Sequence, residues 1–297
     1  MSYADNIFID LCKDIIENGT DTKGQNVRPH WEDGSAAYTI KKFGFVAKYD
    51  LRKEFPALTL RRTALKSAMD EILWIYQKKS NNIKDLNSHI WDEWADEDGS
   101  IGKAYGYQVA KPVKVPKPYM DKESGHFMIE YINSNQMDIL LNDLKCSPFS
   151  RRLMIDLWCP QELKDMNLQP CCYNIIFNVT DERKSESDKL TLNMTLNQRS
   201  SDTLTANNWN VCQYALLLMM LAQVSDMEPG ILMHVITDAH IYDRHVDLVK
   251  ELISRPTYDA PKVWLNPDIK DFYDFTTDDL HVENYKFGDQ ITIPVAI

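Results

Sequence analysis

The first candidate for a reactive side chain is Cys171, which follows Pro170 and comes just before a predicted strand. A cysteine attacks carbon as its thiolate, and a nearby cation favours that form by lowering the pKa of the thiol. Arg199, on the neighbouring predicted strand of the same hairpin, could supply the cation. Most unpaired cysteines are instead small buried apolar residues, and the adjacent Cys172 could be the thiol in use. The spacing therefore predicts a candidate nucleophile and leaves a structural role open for both cysteines.

Other titratable side chains could move protons or hold hydroxyl groups. Glu71 lies on the otherwise apolar face of a predicted helix. Burial there would raise the pKa of its carboxyl group and suit it to acid–base work. His240 and His245 are five residues apart, which does not fit the i, i+4 spacing of helical metal ligands. We therefore predict no metal site, and these histidines either hydrogen-bond a sugar hydroxyl or are satisfied in the core.

Two arginine-containing segments could bind a phosphate group. Residues 198–202 (Gln-Arg-Ser-Ser-Asp) combine a planar guanidinium fork with hydroxyl donors. Arg151 and Arg152 form an adjacent pair in an acidic chain. A plain turn after a strand would explain the first segment equally well, and solvated surface charge would explain the second.

Aromatic residues cluster at 90–94 (Ile-Trp-Asp-Glu-Trp) and at 105–107 (Tyr-Gly-Tyr). Indole and phenol rings give flat apolar walls with polar tips, which suits the stacking of a heterocycle. Ordinary core packing explains such residues more often. Both interpretations remain open from the pattern alone.

The elements that must position these groups follow from the hydrophobic periodicity. Apolar residues at helical spacing predict helices, and alternating apolar runs bounded by turn residues predict strands. Strands and helices follow each other without regular βαβ alternation and no linker divides the chain, so we predict one α+β domain spanning residues 1–297. The predicted helices cover residues 4–18, 63–77, 136–145, 209–224 and 246–253; the predicted strands cover 153–157, 173–179, 190–196 and 231–236, with strands and turns over 28–50 and beyond 262, a surface loop over 111–122 and a charged hairpin connection over 181–188.

Composition excludes several classes of protein. The 33 basic and 44 acidic residues give a net charge of −11, whereas non-specific nucleic-acid binding needs a basic surface. The longest apolar run, residues 215–222, is too short to span a bilayer, and the first residues lack the pattern of a signal peptide. The six cysteines are sparse and unpatterned in a chain of this length and show no metal-ligand spacing. We therefore expect free thiols in a reducing compartment. We expect a cytoplasmic globular protein that binds neither DNA nor membrane.

Taken in order, the candidate residues resemble the thymidylate synthase family over nearly all 297 positions. Residues 270–275 (Lys-Asp-Phe-Tyr-Asp-Phe) are most similar to the variety found in certain Gram-positive bacteria and their phages. The other matching segments are 70–74 (DEILW), 90–94 (IWDEW), 104–106 (AYG), 150–152 (SRR), 170–171 (PC), 198–202 (QRSSD), 238–242 (DAHIY) and 294–297 (PVAI).

The resemblance implies a mixed sheet packed with helices, a homodimer formed through that sheet, and dUMP and 5,10-methylenetetrahydrofolate as substrates, with no metal. It implies that Cys171 adds to C6 of the pyrimidine, that Glu71 handles protons near O4 and the folate, and that Tyr105 helps to remove the C5 proton through water. Asn210 would read the uracil edge, because one amide matches both a carbonyl and an N–H. The remaining implied contacts are Arg28, Arg199 and Ser200, with Arg151 and Arg152 of the partner chain, for the phosphate; Gln198 for the substrate; His240 and Tyr242 for the ribose; and Ile90, Trp91, Trp94, Asp202, Trp209, Ala296 and Ile297 for the folate, with Trp91 and Asp202 also catalytic and Ile297 closing the site.

Departures from the family pattern lie mainly on the folate side. The usual Leu-Gly-Leu-Pro-Phe run becomes Thr-Ala-Asn-Asn-Trp at 205–209, Cys172 replaces a usual His, and Arg61 stands for a usual Lys. Polar groups at Thr205 and Asn207 could hold a water.

Three functions compete on this pattern. A synthase reduces the transferred carbon with hydride, and a deoxyuridylate hydroxymethylase captures it with water. A catalytically dead binding protein would have little reason to keep all of the residues implied in chemistry. We predict thymidylate as the main product with some hydroxymethyl side product, and keep the hydroxymethylase as the alternative.

Overall fold

Helices and strands of the chain alternate irregularly in the computed structural model, which describes residues 1–122, 124–183 and 188–296. The α-helices are α1 (Tyr3–Asn18), α2 (Leu65–Tyr76), α3 (Gly106–Ala110), α4 (Gln136–Cys146), α5 (Asn207–Val224) and α6 (Val246–Ile253). The strands are β1 (Thr20–Asp21), β2 (Thr39–Asp50), β3 (Val113–Met120), β4 (Phe127–Ser134), β5 (Met154–Asp156), β6 (Cys172–Thr180), β7 (Thr191–Asp202), β8 (Glu228–Tyr242), β9 (Lys262–Leu265) and β10 (Leu280–Glu283).

A six-stranded mixed sheet has the order β1-β2-β8-β7-β6-β5. Six of the predicted site residues lie on its strands β7 and β8: Gln198, Arg199, Ser200, Asp202, His240 and Tyr242. Strands β7 and β8 are parallel, and every other neighbouring pair in this sheet is antiparallel. Two short antiparallel ribbons, β3-β4 and β9-β10, lie apart from it. The sheet confirms the predicted α+β class, because its mixed pairing differs from an all-parallel doubly wound sheet.

The core forms where helices pack on one face of this sheet. Helix α5 lies against β7 and β8, α2 packs on α5, and α1 packs on β2. Helix α5 is buried almost all round, which agrees with its mostly apolar sequence. Helix α1 is capped by Ser2, which precedes its first residue and whose hydroxyl oxygen accepts the backbone N–H of Asp5 over 3.1 Å.

The predicted helices are confirmed to within about two residues, and each predicted strand is present. Strands β7 and β8 are longer than the apolar runs suggested, because each is paired on both sides and ladder hydrogen bonds hold their polar ends in strand geometry. The histidine motif at 238–242 therefore lies on β8, beyond the end of the predicted strand at 231–236. Of the predicted 181–188 hairpin connection, residues 184–187 lie outside the described part of the chain.

The predicted surface loop over 111–122 is wrong, since most of it is strand β3, which pairs with β4. Its prolines and lysines suggested a loop, but Pro116 and Pro118 face Tyr131 and Ile129 in a two-stranded ribbon. Both strands of such a ribbon are edges, where a missing N–H is tolerated. Within the described ranges no helix is long and apolar enough to cross a membrane.

Candidate active site

The predicted nucleophile lies at the end of the sheet where β6 begins and β7 approaches its end. Cys172 of β6 pairs with Gln198 of β7, so that Cys171 and Arg199 are brought side by side. Nη2 of Arg199 lies 3.6 Å from Sγ of Cys171. The same guanidinium group donates to the carbonyl oxygens of Pro170 over 3.0 Å and Gln169 over 2.9 Å. The predicted thiol–arginine pair is therefore confirmed, and Arg199 is held rigidly in place.

The environment of the Cys171 thiol combines burial with positive charge. Burial raises the pKa of Cys171, and the charges of Arg199 and then Arg28 offset part of that rise. Arg28 is exposed. Cys172 points to the opposite side and is 3% exposed, and burial raises the pKa of its thiol well above the ordinary value. Of the two thiols, only that of Cys171 is both partly exposed and in contact with the guanidinium group of Arg199. This agrees with the alternation of side chains along a strand.

Glu71 in α2 is the buried carboxyl group that the sequence predicted. It is 5% exposed, and its two oxygens accept indole N–H groups from Trp91 over 2.9 Å and Trp209 over 2.7 Å. Burial raises the pKa of Glu71 to about 7, although the bonds from Trp209 and Trp91 oppose the rise. A carboxyl group with that pKa can both give and accept a proton near neutral pH.

Tyr105 connects the Glu71 region with the Cys171 region. Its hydroxyl oxygen accepts the backbone N–H of Cys171 over 3.2 Å, and its ring packs edge-on against Trp91 with centroids 5.1 Å apart. Its backbone lies at φ +44°, a region that non-glycine residues rarely adopt. Such an outlier is held by its surroundings and is typical of functional sites.

A chain of side-chain amides fixes the orientation of Asn210, in the first turn of α5. Gln198 donates its N–H to Oδ1 of Asn210 over 3.1 Å, and Nδ2 of Asn210 donates to Oε1 of Gln213 over 3.1 Å. Oε1 of Gln198 lies 2.7 Å from Nε2 of His234, which must therefore carry the proton. Burial lowers the pKa of His234 to about 3, so this histidine is neutral.

Asp202, at the end of β7, organises the turn that leads into α5. Its carboxylate accepts the hydroxyl of Thr205 over 2.6 Å and the backbone N–H of Leu204 over 3.0 Å. Burial alone would raise the pKa of Asp202, but His245, His240 and Thr205 outweigh it and lower the pKa. The hydroxyl proton of Thr205 is thus given to Asp202, and only the lone pairs of its oxygen remain to accept from another donor.

His245 links Asp202 to the C-terminal segment. Nδ1 of His245 lies 3.8 Å from Oδ1 of Asp202, and Nε2 lies 2.8 Å from the carbonyl oxygen of Pro294. Ala296 is half-buried, and Ile297 lies outside the described residues. His245 therefore connects the C-terminal segment at Pro294 with Asp202, on the predicted folate side of the site.

The remaining predicted residues are distributed as follows. Nδ1 of His240 lies 2.9 Å from Asp238, and the ring of His240 packs edge-on against Tyr242. Trp94 packs against Trp91, with centroids 5.8 Å apart, whereas Ile90 is exposed. Ser200 is half-buried on β7, beside Arg199.

Arg151 and Arg152 are not brought to this site within one chain. Met154 pairs with Ile176 and Asp156 with Asn174, so Arg152 lies beyond the end of β5 that points away from Cys171. At about 3.3 Å per residue, that register separates the two positions by roughly 20 Å. Both arginines are exposed.

Polar side chains of the altered 205–209 segment make hydrogen bonds to other parts of the protein, where the sequence had suggested sites for water. Asn208 accepts the N–H of Leu58 over 3.0 Å and donates to the carbonyl oxygen of Pro56 over 2.8 Å. Arg61 donates to the carbonyl oxygen of Leu204, and burial lowers the pKa of its guanidinium group. Nδ2 of Asn207 is buried and has no hydrogen-bond partner in the described structure.

His234 and Gln213 are the site residues that the sequence prediction missed. His234 alternates with Leu232 and Ile236 on the buried face of β8, where a polar residue is unusual. That break in the apolar alternation was the available signal. In the described ranges, no group of three or more His, Cys, Asp or Glu side chains could hold a metal ion.

Comparisons with known proteins agree with this geometry. Residues 6–297 match the family described as thymidylate synthase. Thymidylate synthase of Bacillus mojavensis is 40% identical, and that of Bacillus phage phi3T is 38% identical, with 100% of each chain covered in both cases. The solved structure of thermostable thymidylate synthase A from Bacillus subtilis matches all of both chains with a TM-score of 0.87 at 38% identity. The chain belongs to the thymidylate synthase family.

Proposed function

We propose that this enzyme methylates dUMP at C5 to give dTMP, using 5,10-methylenetetrahydrofolate and releasing dihydrofolate. The observation that carries the proposal is the Cys171–Arg199 contact beside the oriented amide of Asn210 and the clamped carboxyl group of Glu71. The names of the relatives support reduction of the transferred carbon rather than its capture by water. The hydroxymethylase alternative has no such support.

Addition of Cys171 to C6 of the pyrimidine is the first step. The thiol is raised in pKa by burial, so we expect it to ionise only with help from Arg199 and Arg28. Attack at C6 pushes electron density through C5 to O4, and an acid near O4 stabilises the resulting enolate. Glu71, with a pKa of about 7, is suited to that role and to returning the proton later.

Asn210 selects uracil because its amide cannot turn freely. Gln198 donates to Oδ1 and Gln213 accepts from Nδ2, so the carbonyl and amino ends of the amide keep fixed positions. In this orientation we expect Oδ1 to accept the N3–H of uracil and Nδ2 to donate to O4.

The folate supplies the one-carbon unit and the hydride. The residues present fit a pterin ring, because the turn from Asp202 to Trp209 offers a carboxylate, an indole wall and the unpartnered amide nitrogen of Asn207. Trp91 and Trp94 would form the opposite wall and keep water away from the transferred carbon.

The phosphate of dUMP is assigned to Arg28, Arg199 and Ser200 of one chain and to Arg151 and Arg152 of a second copy. The distance of Arg152 from Cys171 in its own chain supports this division. Each active site would then need residues from both subunits.

The dimer is assigned to the face of the sheet that the helices leave uncovered. Residues paired directly across neighbouring strands point to the same side. One such row runs through Met154, Ile176, Thr195 and Met233, and Met154 and Ile176 are 44% and 39% exposed. Apart from Thr195 this row is apolar, and such a row across an open sheet suits a second copy of the same surface.

We treat residues 1–297 as one catalytic domain acting in the cytoplasm, where reducing conditions keep the six free cysteines as thiols.

The test of the proposed function is incubation of the purified protein with dUMP and methylenetetrahydrofolate, followed by separation of the nucleotides and assay of dihydrofolate. We expect equal amounts of dTMP and dihydrofolate. Formation of hydroxymethyl-dUMP without dihydrofolate would overturn the proposal.

A further inference from the structure

Both oxygens of the Glu71 carboxylate are held by indole N–H groups. Trp91, in the turn before a short 3-10 helix, binds Oε1, and Trp209, in the first turn of α5, binds Oε2. The shorter of the two bonds, at 2.7 Å, comes from Trp209.

An indole N–H only donates, so Trp209 acts on Glu71 in one direction. A donor binds an ionised carboxylate more strongly than a neutral carboxyl group, and thereby favours the ionised form. Burial of Glu71 opposes ionisation.

The other titratable groups that face Glu71 do not supply a positive charge. Asp70 in the same helix opposes ionisation of Glu71 through its charge. Tyr105 and Cys172 also face Glu71, and burial raises the pKa of both well above the ordinary value, so they are neutral near pH 7. The groups that favour the ionised carboxylate are hydrogen-bond donors: Trp209 first, then Trp91 and then Gln213. The two indole N–H groups lie 2.7 Å and 2.9 Å from the carboxylate oxygens.

Trp209 also ties the acid–base group to the residue that reads the base. It directly precedes Asn210, and the turn before it is fixed by the bonds of Asp202 to Thr205 and Leu204. We propose that Trp209 is a positioning residue for Glu71, an inference that rests on the proposed function. The N–H of Trp209 holds Oε2, stabilises the ionised carboxylate and fixes the plane of the carboxylate relative to the pyrimidine.

The test is Trp209→Phe, which keeps an aromatic ring and removes the N–H. Infrared difference spectra follow the protonated carboxyl band of Glu71 with pH, and that band is assigned by its loss in Glu71→Gln. Loss of one donor to a charged group predicts that the midpoint of this titration rises by about one to two pH units. The limb of the kcat–pH profile that Glu71→Gln abolishes should move in the same direction by the same amount.

Two comparisons separate this role from a general effect of losing an indole. Trp264→Phe removes the indole that stacks on His281 in the β9-β10 ribbon, and it should leave both titrations unchanged. Trp91→Phe removes the donor to Oε1 and should raise the midpoint as Trp209→Phe does. An unchanged midpoint in Trp209→Phe, with only a higher KM for the folate, would overturn the proposal and leave Trp209 as a cofactor wall.

The infrared titration does not depend on turnover. If the unaltered protein makes no dTMP, the proposed function fails, while the titration still decides the role of Trp209. If Trp209→Phe does not fold, indole ¹⁵N–H resonances of the unaltered protein decide it. The chemical shifts of two of them should change with pH at the midpoint of the Glu71 titration, and neither should change in Glu71→Gln. A single resonance that changes would contradict the presence of two indole donors.

Discussion

Gln198 and Asn210 are joined by a hydrogen bond of 3.1 Å in which the glutamine N–H donates to the asparagine carbonyl oxygen. Gln198 is itself oriented, because it donates to the carbonyl oxygen of Ser200 and accepts from His234. The amide of Asn210 therefore takes its orientation from a neutral histidine buried in the sheet. If Asn210 reads the base as proposed, we expect specificity for uracil to depend on this relay as well as on Asn210.

Changing Asn210→Asp should move the preference from dUMP toward dCMP. A carboxylate accepts at both oxygens and suits the amino group of cytosine, whereas it repels O4 of uracil. We expect the ratio of kcat/KM values for the two nucleotides to change by at least about tenfold, the effect of one misplaced polar partner. Asn6→Asp, on the exposed face of α1, is the matched control. An unchanged ratio would mean that Asn210 does not read the base.

The pH dependence of stability should reveal the buried Glu71 carboxyl group. The pKa of this group is about 7 in the folded protein and about 4.5 when it is exposed, so its contribution to stability is complete below pH 4.5 and is lost as pH rises through 7. The loss amounts to about 3 kcal/mol in the free energy of unfolding. Glu71→Gln should lack it.

The measurement is chemical denaturation at pH 5 and pH 8 at one protein concentration. The advantage of Glu71→Gln over the unaltered protein should grow with pH. Glu17→Gln, at an exposed position of α1, should show the pH dependence of the unaltered protein. Parallel curves for Glu71→Gln and the unaltered protein would contradict a raised pKa.

His245→Phe should loosen the C-terminal tail. The change keeps a ring in the core but removes the 2.8 Å contact with the carbonyl oxygen of Pro294 and the imidazole nitrogen that lies 3.8 Å from Asp202. Loss of one such contact, worth about 1 kcal/mol, predicts a several-fold higher KM for the folate with a smaller effect on the KM for dUMP. His281→Phe, in the β9-β10 ribbon, should change neither. Equal effects on both substrates would argue for general unfolding of the site.

Much of the site could be predicted from the sequence because its partners are close in the chain or follow a clear pattern. The approach of Arg199 to Cys171 follows from two consecutive antiparallel strands. Glu71 stood out as a charge in an apolar stripe. The contact of His234 with Gln198 could not be predicted, because nothing in the sequence tells which residue of a neighbouring strand the His234 side chain contacts.

Two other features depend on contacts that only the fold creates. The bond from Trp209 to Glu71 joins residues 138 positions apart, on α5 and α2. Strand β3 was mistaken for a loop, because the tolerance of Pro116 and Pro118 depends on β3 being an edge strand. Both are tertiary effects that composition and periodicity do not contain.

Mixing two inactive variants should restore activity if the sites are shared. Arg151→Ala and Cys171→Ser subunits would form hybrid dimers with one intact site, so random exchange predicts about a quarter of the unaltered activity. A mixture of Arg151→Ala and Arg152→Ala should restore none, since each site would still receive a damaged pair. Absence of recovery in the first mixture, with exchange confirmed by native mass spectrometry, would place both arginines outside the partner's site.

The central claim is that Cys171 bonds to C6 of the pyrimidine. An analogue of dUMP with fluorine at C5 cannot lose a proton there, so the reaction with the folate should stall with the nucleotide attached to the enzyme. Mass spectrometry of the digested protein should then find the added nucleotide on Cys171. Cys172→Ser should keep the adduct and most activity, whereas Cys171→Ser should lose both, with turnover reduced by about a thousandfold or more. An adduct on Cys172, or none at all, would contradict the account.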